Sequence, residues 1–163
     1  MIIGNKLWKE ILYKNKTPCV CVCPINTTIR YNGKLVMGAG IAKLFNNAFP
    51  GLDTIFGSQI SQLFNGSKTI EESHRERLRR IPIYAFYGRG RFFIYGLITK
   101  TDWKEKSDEY LVLDSVRDMD RYIVSYHGNK PVYMPKPGCG LGGLDWNKLK
   151  EKLNFLDDRY IIL

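Results

Sequence analysis

The stretch Pro131-Val132-Tyr133-Met134-Pro135-Lys136-Pro137-Gly138-Cys139-Gly140-Leu141-Gly142-Gly143-Leu144-Asp145-Trp146 decides the fold. A short apolar run of strand character feeds a loop with four glycines in six residues, and a helical pattern starts at Asp145. Glycines at this density admit positive φ and leave backbone N–H groups uncovered, so an anion can approach the chain closely. A helix behind such a loop adds the positive end of its dipole. A second loop of the same kind, Met37-Gly38-Ala39-Gly40, opens the helical run Ile41-Ala42-Lys43-Leu44-Phe45. Two glycine loops imply two walls around one diphosphate. The expected ligand-binding residues are therefore Met37, Gly38, Ala39, Gly40 and Ile41 on one wall. Pro137, Gly138, Cys139, Gly140, Leu141, Gly142 and Gly143 form the other.

Working outward, residues 19–25 read as a strand with apolar residues on both faces, which suits an interior position covered by helices on both sides. Cys19, Cys21 and Cys23 alternate along it and share one face. Their spacing is not that of a zinc knuckle, so they are read as small core residues and no metal is expected. The polar loop that leaves this strand carries Asn26, Thr27 and Asn32. Loops at the carboxyl ends of strands are where open α/β sheets bind ligands. These three side chains are candidates for ligand contact, with turn chemistry around Asn32-Gly33 as the competing account.

Helical spacing continues over 40–49 and again over 53–64, where Asn65-Gly66 stops it. Two aromatic strands, 81–87 and 91–98, flank Gly88-Arg89-Gly90, which reads as a hairpin turn. A loop over 99–107 follows, and Ser107 is expected to cap a helix running to about residue 126. A strand around 132–134, the second glycine loop, a helix from Asp145 to about Phe155 and a last strand at 159–163 complete the chain. A short strand at the N-terminus and a weak helix through Leu12 precede all of this. The order describes one α/β domain over 1–163, a three-layer α/β/α sandwich with a mixed, mostly parallel central sheet.

The chain has 163 residues with 44% hydrophobic and 25% charged side chains, enough apolar content for a real core. No apolar run reaches membrane-spanning length and the N-terminus has no signal-peptide pattern, so the expectation is a cytoplasmic protein with no membrane partner. The 25 basic and 16 acidic residues give a net charge of +9, which favours anionic partners. The densest basic cluster, His74-Arg75-Glu76-Arg77-Leu78-Arg79-Arg80, reads as a solvated surface rather than a nucleic-acid patch.

The paired motifs Met37-Gly38-Ala39-Gly40-Ile41-Ala42 and Pro137-Gly138-Cys139-Gly140-Leu141-Gly142-Gly143-Leu144-Asp145-Trp146 resemble those of the macro domain family. The likeness is to the branch of hydrolases that remove ADP-ribose from modified glutamate and from modified DNA. Asn26-Thr27-Thr28, Phe49-Pro50-Gly51-Leu52-Asp53 and Thr99-Lys100-Thr101-Asp102-Trp103 with Ser107 extend it over most of the chain. The resemblance implies a macro-domain fold that binds ADP-ribose or another NAD-derived nucleotide, free or attached to protein or nucleic acid, with no cofactor. It also implies that Asn32 lies near the distal ribose. Three departures stand out. Between Pro18 and Asn32 there is no acidic residue to bind the adenine amino group, Asn46 stands where the glutamate-directed enzymes have a lysine directly after the phenylalanine of the first helix, and Gly142 occupies the place of their second-loop aspartate.

Three functions follow for testing: a binding module for ADP-ribose, a hydrolase of an ADP-ribose linkage or of the 1″-phosphate, and a nucleic-acid binder using the basic surface. Lys43, Asp145 and Asp102 are the catalytic candidates for the second. Lys43 would act as nucleophile or electrostatic clamp. Each has a plainer reading: a solvated lysine, a helix cap and a loop aspartate.

Overall fold

The computed structural model describes residues 1–64 and 82–163. The basic cluster at 74–80 and the expected start of a strand at residue 81 lie outside the described residues. The elements run β1 (Ile2–Ile3), α1 (Trp8–Lys14), β2 (Cys19–Ile25), α2 (Gly40–Ala48), α3 (Leu52–Phe64), β3 (Tyr84–Tyr87), β4 (Phe92–Ile98), α4 (Glu109–His127), β5 (Val132–Met134), α5 (Trp146–Lys152) and β6 (Tyr160–Ile162). The six strands form one sheet in the order β1-β6-β5-β2-β4-β3. Only the β3–β4 pair is antiparallel, closed by the tight turn at Gly88-Arg89-Gly90; the other neighbours are parallel. The sheet is therefore mixed and mostly parallel, as expected.

Strand β2 is the axis of the sheet. It pairs with β4 along its whole length, from Cys19 opposite Phe92 to Ile25 opposite Ile98, and with β5 at Val20 and Cys21. A strand paired on both edges and covered on both faces must be apolar throughout, and this one is. Cys19, Cys21 and Cys23 face one core with Ile11 and Leu12 of α1, Phe45 of α2, and Leu52, Phe56 and Ile60 of α3. Val20 and Val22 face the other, with Phe93, Tyr95 and Leu97 of β4, Val112, Val116, Met119 and Ile123 of α4, and Leu149 of α5. Each buried side chain of this size contributes roughly 1.5–3 kcal/mol of transfer free energy. The two clusters are the two interlayer cores of an α/β/α sandwich.

The cysteines behave as core residues. The sulfurs of Cys19 and Cys21 lie 3.8 Å apart without a disulfide, and burial pushes the Cys23 thiol well above its ordinary range. Among the described residues no group of three or more His, Cys, Asp or Glu side chains forms a metal-ligand cluster. No helix among them is long and apolar enough to cross a membrane.

Two local expectations are corrected. Helix α4 is capped by Asp108, whose carboxylate accepts from Leu111 N at 2.8 Å; Ser107 stands one residue outside it. An ionised acceptor suits a helix N-terminus better than a hydroxyl, and only one side chain can take that place. Helix α5 ends at Lys152 rather than Phe155, because Leu153 and Leu156 turn back into 3₁₀-type bonds with Lys150 and Leu153 as they enter the core.

Candidate functional site

A cleft of about 900 Å³ opens at the carboxyl ends of β2, β4 and β5. This is where a mostly parallel sheet leaves its loops free to carry ligands. Its walls come from three segments: 26–42 after β2, 99–107 after β4 and 135–142 after β5.

The first wall ends in helix α2. Its N-cap is Ala39, with extended backbone and no side-chain acceptor, and the first intrahelical bond runs from Lys43 N to Ala39 O. The N–H groups of Gly40, Ile41 and Ala42 consequently have no protein acceptor among the described residues. Gly40 adopts φ +56°, a left-handed turn that directs the chain into the helix. Arg30 reaches the same place: a Cβ on Gly38 would lie 3.8 Å from its Nη2. The guanidinium has no ion-pair or hydrogen-bond partner among the described residues.

The second wall is the loop 138–143. Leu144 N donates to Gly138 O and Gly143 N to Gly140 O, which folds the loop into consecutive tight turns. Among the described residues the N–H groups of Gly140, Leu141 and Gly142 have no protein acceptor. Leu141 is exposed, and its Cδ1 lies 3.5 Å from where a Cβ on Gly40 would stand. The two glycine loops thus meet across the cleft.

The third segment is pinned to the first. Thr27 N and Oγ1 both donate to Thr101 O, at 3.0 and 2.9 Å, and Trp103 N donates to Thr28 Oγ1. Lys100 lies on the cleft wall with Nζ donating to the carbonyls of Trp103 and Glu105. Trp103 is 49% exposed on the same wall, with Lys104 Nζ 5.5 Å from its ring centre. Ser107 closes the floor against Gly142. Among the described residues the wall carries the cations Arg30, Lys100 and Lys136 and no carboxylate, imidazole or thiol. Its remaining surface is mostly backbone and aliphatic side chain. Such a cavity is built for an anion joined to apolar rings.

Of the residues expected from sequence, Asn26, Met37, Gly38, Ala39, Gly40, Ile41, Gly138, Gly140, Leu141 and Gly142 line the cleft. Thr27, Asn32, Pro137, Cys139 and Gly143 stand outside its wall. Asn26 lines it with its amide already engaged, donating to Val36 O and accepting from Thr28 N. Asn32 sits at the tip of a small antiparallel turn closed by the Ile29–Leu35 bridge, and its Oδ1 accepts from Lys34 N. Phe49 and Trp146 pack in the cores.

The three catalytic candidates are also outside the wall. Lys43 is an exposed residue of α2. Asp145 caps α5 by accepting from Asn147 N, and Asp102 closes a turn by accepting from Lys104 N. What sequence reasoning missed is Arg30, Lys100, Ser107 and Lys136. Lys100 was signalled by its place in the loop after β4 and in the Thr99–Trp103 stretch that carries the resemblance. Arg30 carried no signal, because a short turn, not a periodic element, brings it to Gly38.

No protein-family model matches the chain, and no curated protein matches it. Solved structures do. The macrodomain of Mycobacterium tuberculosis DarG superposes with a TM-score of 0.72 at 23% identity, over 99% of this chain and 95% of that one. The macrodomain of Thermus aquaticus DarG gives 0.63 at 23% identity, over 99% and 93%. Thermosipho africanus DarTG, solved in complex with ADP-ribose, gives 0.65 at 19% identity, over 88% of this chain and 37% of that one.

Proposed function

We propose that this chain, which has the macrodomain fold, is a single cytoplasmic domain that binds ADP-ribose or a close derivative in the cleft between its two glycine loops. The observation that carries the reading is the N-terminus of α2: three N–H groups without a protein acceptor among the described residues and an N-cap alanine, with the Arg30 guanidinium beside Gly38. A diphosphate supplies the missing acceptors and the missing negative charge at once. The apolar remainder of the cleft and the exposed Trp103 suit the base and riboses. The ligand-bound neighbour of the same fold supports this choice of nucleotide.

The test is calorimetric titration of the wild type and of Ala39→Asp with ADP-ribose. The backbone at Ala39 is extended, as an N-cap requires, so an aspartate there can accept from the free N–H groups. It should stabilise the protein by about 1 kcal/mol and abolish binding, since its carboxylate takes the ligand's place. Tight binding by the aspartate variant would refute the assignment of the diphosphate to α2.

A second reading, release of ADP-ribose from a conjugate or dephosphorylation of its 1″-phosphate, is favoured by Lys100. It is an amine on the cleft wall, with its Nζ located by two carbonyls, whereas Lys43 is not on that wall. Product analysis with wild type, Lys100→Ala and Lys43→Ala separates the two. Turnover lost in the Lys43 variant and kept in the Lys100 variant would reverse the placement.

A further inference from the structure

Ser107 is nine-tenths buried, and its Oγ has no hydrogen-bond partner among the described residues. A hydroxyl withdrawn from water without a partner is costly, and folded proteins rarely keep one without use. Helix capping does not account for it, because Asp108 performs that role for α4. The backbone of Ser107 is already engaged: its N–H donates to Gly142 O at 3.0 Å.

The residue borders the cleft. Ser107 lines the cavity where the 99–107 loop meets the second glycine loop. A Cβ on Gly142 would stand 2.1 Å from its Oγ, and a Cβ on Gly138 would stand 3.0 Å from its Cβ. Glycine at both positions is what lets the loop sit directly on this serine. The same loop carries, at Gly140, Leu141 and Gly142, N–H groups without protein acceptors among the described residues. With cations and no carboxylate among the described residues of the wall, the complementary group is an anionic oxygen.

We propose that Ser107 is a ligand-binding residue whose hydroxyl donates a hydrogen bond to a phosphate oxygen held under the second glycine loop. This rests on the reading of the cleft as a diphosphate site. The hydroxyl is paired only in the complex, so it strengthens binding at the expense of the stability of the free protein.

Removing the hydroxyl should therefore move stability and affinity in opposite directions. Thermal unfolding without ligand, and titration with ADP-ribose and with inorganic pyrophosphate, are measured for wild type, Ser107→Ala and Ser107→Cys. The alanine variant should melt about 2–4 °C higher. It should also bind roughly tenfold more weakly, the usual loss for a hydrogen bond to a charged group. Cysteine, similar in shape but a weak donor, should lose affinity in the same way. A lower melting temperature for alanine would show that the hydroxyl serves the fold, and unchanged affinity would show that it does not meet the ligand. Wild-type affinity in the cysteine variant would make shape the determinant. Each of these overturns the proposal. Wild-type binding to neither probe overturns the diphosphate reading and this one with it, whereas wild-type binding with an unaffected alanine variant overturns this one alone.

Discussion

Replacing Gly142 by aspartate should cost the protein stability rather than equip the cleft with an acid. Gly142 has an ordinary negative-φ backbone, so the argument is one of space and not of conformation. A Cβ there would lie 2.1 Å from Ser107 Oγ, 2.4 Å from Gly138 O and 2.9 Å from the Gly138 carbonyl carbon. A serine can rotate away from the first contact. The second and third are backbone, in a loop held by Leu144 N to Gly138 O and Ser107 N to Gly142 O, each at 3.0 Å. Overpacking of this kind costs about 1–3 kcal/mol where neighbours can yield, and a pinned backbone puts the cost at the upper end. For a chain of this size each kcal/mol moves the melting temperature by about 2–4 °C, so Gly142→Ala and Gly142→Asp should both melt roughly 6–12 °C below wild type. Scanning calorimetry reads this directly. Combining Gly142→Ala with Ser107→Ala removes the hydroxyl contact and leaves the carbonyl one, so it should recover part of the loss and not all of it. An alanine variant that melts within a degree of wild type would refute the reasoning, because the loop would then have room for the acid.

Asn26→Ala should destabilise by about 2–4 kcal/mol in chemical denaturation, since it strips buried partners from both Val36 O and Thr28 N. A loss below about 0.5 kcal/mol would mean that the loop is held by its other contacts. His127 packs 4.0 Å from Phe93, between ring centres, and its Nε2 has no partner among the described residues. Burial, with Lys130 adding to it, holds its folded-state pKa below the ordinary 6.5. The unfolded chain therefore takes up the proton first, so stability is full above about pH 6.5 and declines as pH falls through and below it. His127→Gln should flatten the profile in that window, and an unchanged slope in the variant would assign it to other groups.

The architecture was readable because its signals are local and repeated. Apolar β2 with both faces covered, the helical spacing of α2 and α4, and the Gly88-Arg89-Gly90 hairpin each follow from a period or a turn dipeptide. The glycine loops were readable for the same reason. The polar contents of the cleft were not. Asn26 and Asn32 carry side chains suited to a ribose, yet here both close turns, because an amide satisfies a nearby backbone group more readily than a distant ligand. Lys43 follows the first glycine loop in sequence but is an exposed residue of α2, outside the cleft wall. Lys100 reaches the wall through a strand end 57 positions later, a juxtaposition made by the β2–β4 pairing. Charge at a site is a matter of which strands are neighbours, and strand order is written in no single stretch of the chain.

The N-terminus of α2 differs from the other described helix starts. Helix α1 has Leu7 N donating to Glu10, α3 has Asp53 N donating to Asn46 and Thr54 N to Asp53, α4 has Asp108 and α5 has Asp145. Among the described helices, α3, α4 and α5 each have a carboxylate or an amide accepting at the helix start, whereas α1 has Leu7 at its N-cap with no side-chain cap. Helix α2 has alanine at the N-cap and glycine at its first position, the poorest pair for holding a helix end. The open N-terminus of α2 lies on the cleft wall beside an arginine with no partner among the described residues, which is the arrangement the proposed anionic ligand would complete. Without an anionic ligand, aspartate at position 39 would stabilise the helix end, because the residue is exposed and its backbone already extended. On the proposed reading, alanine at that position leaves the helix end free for the ligand.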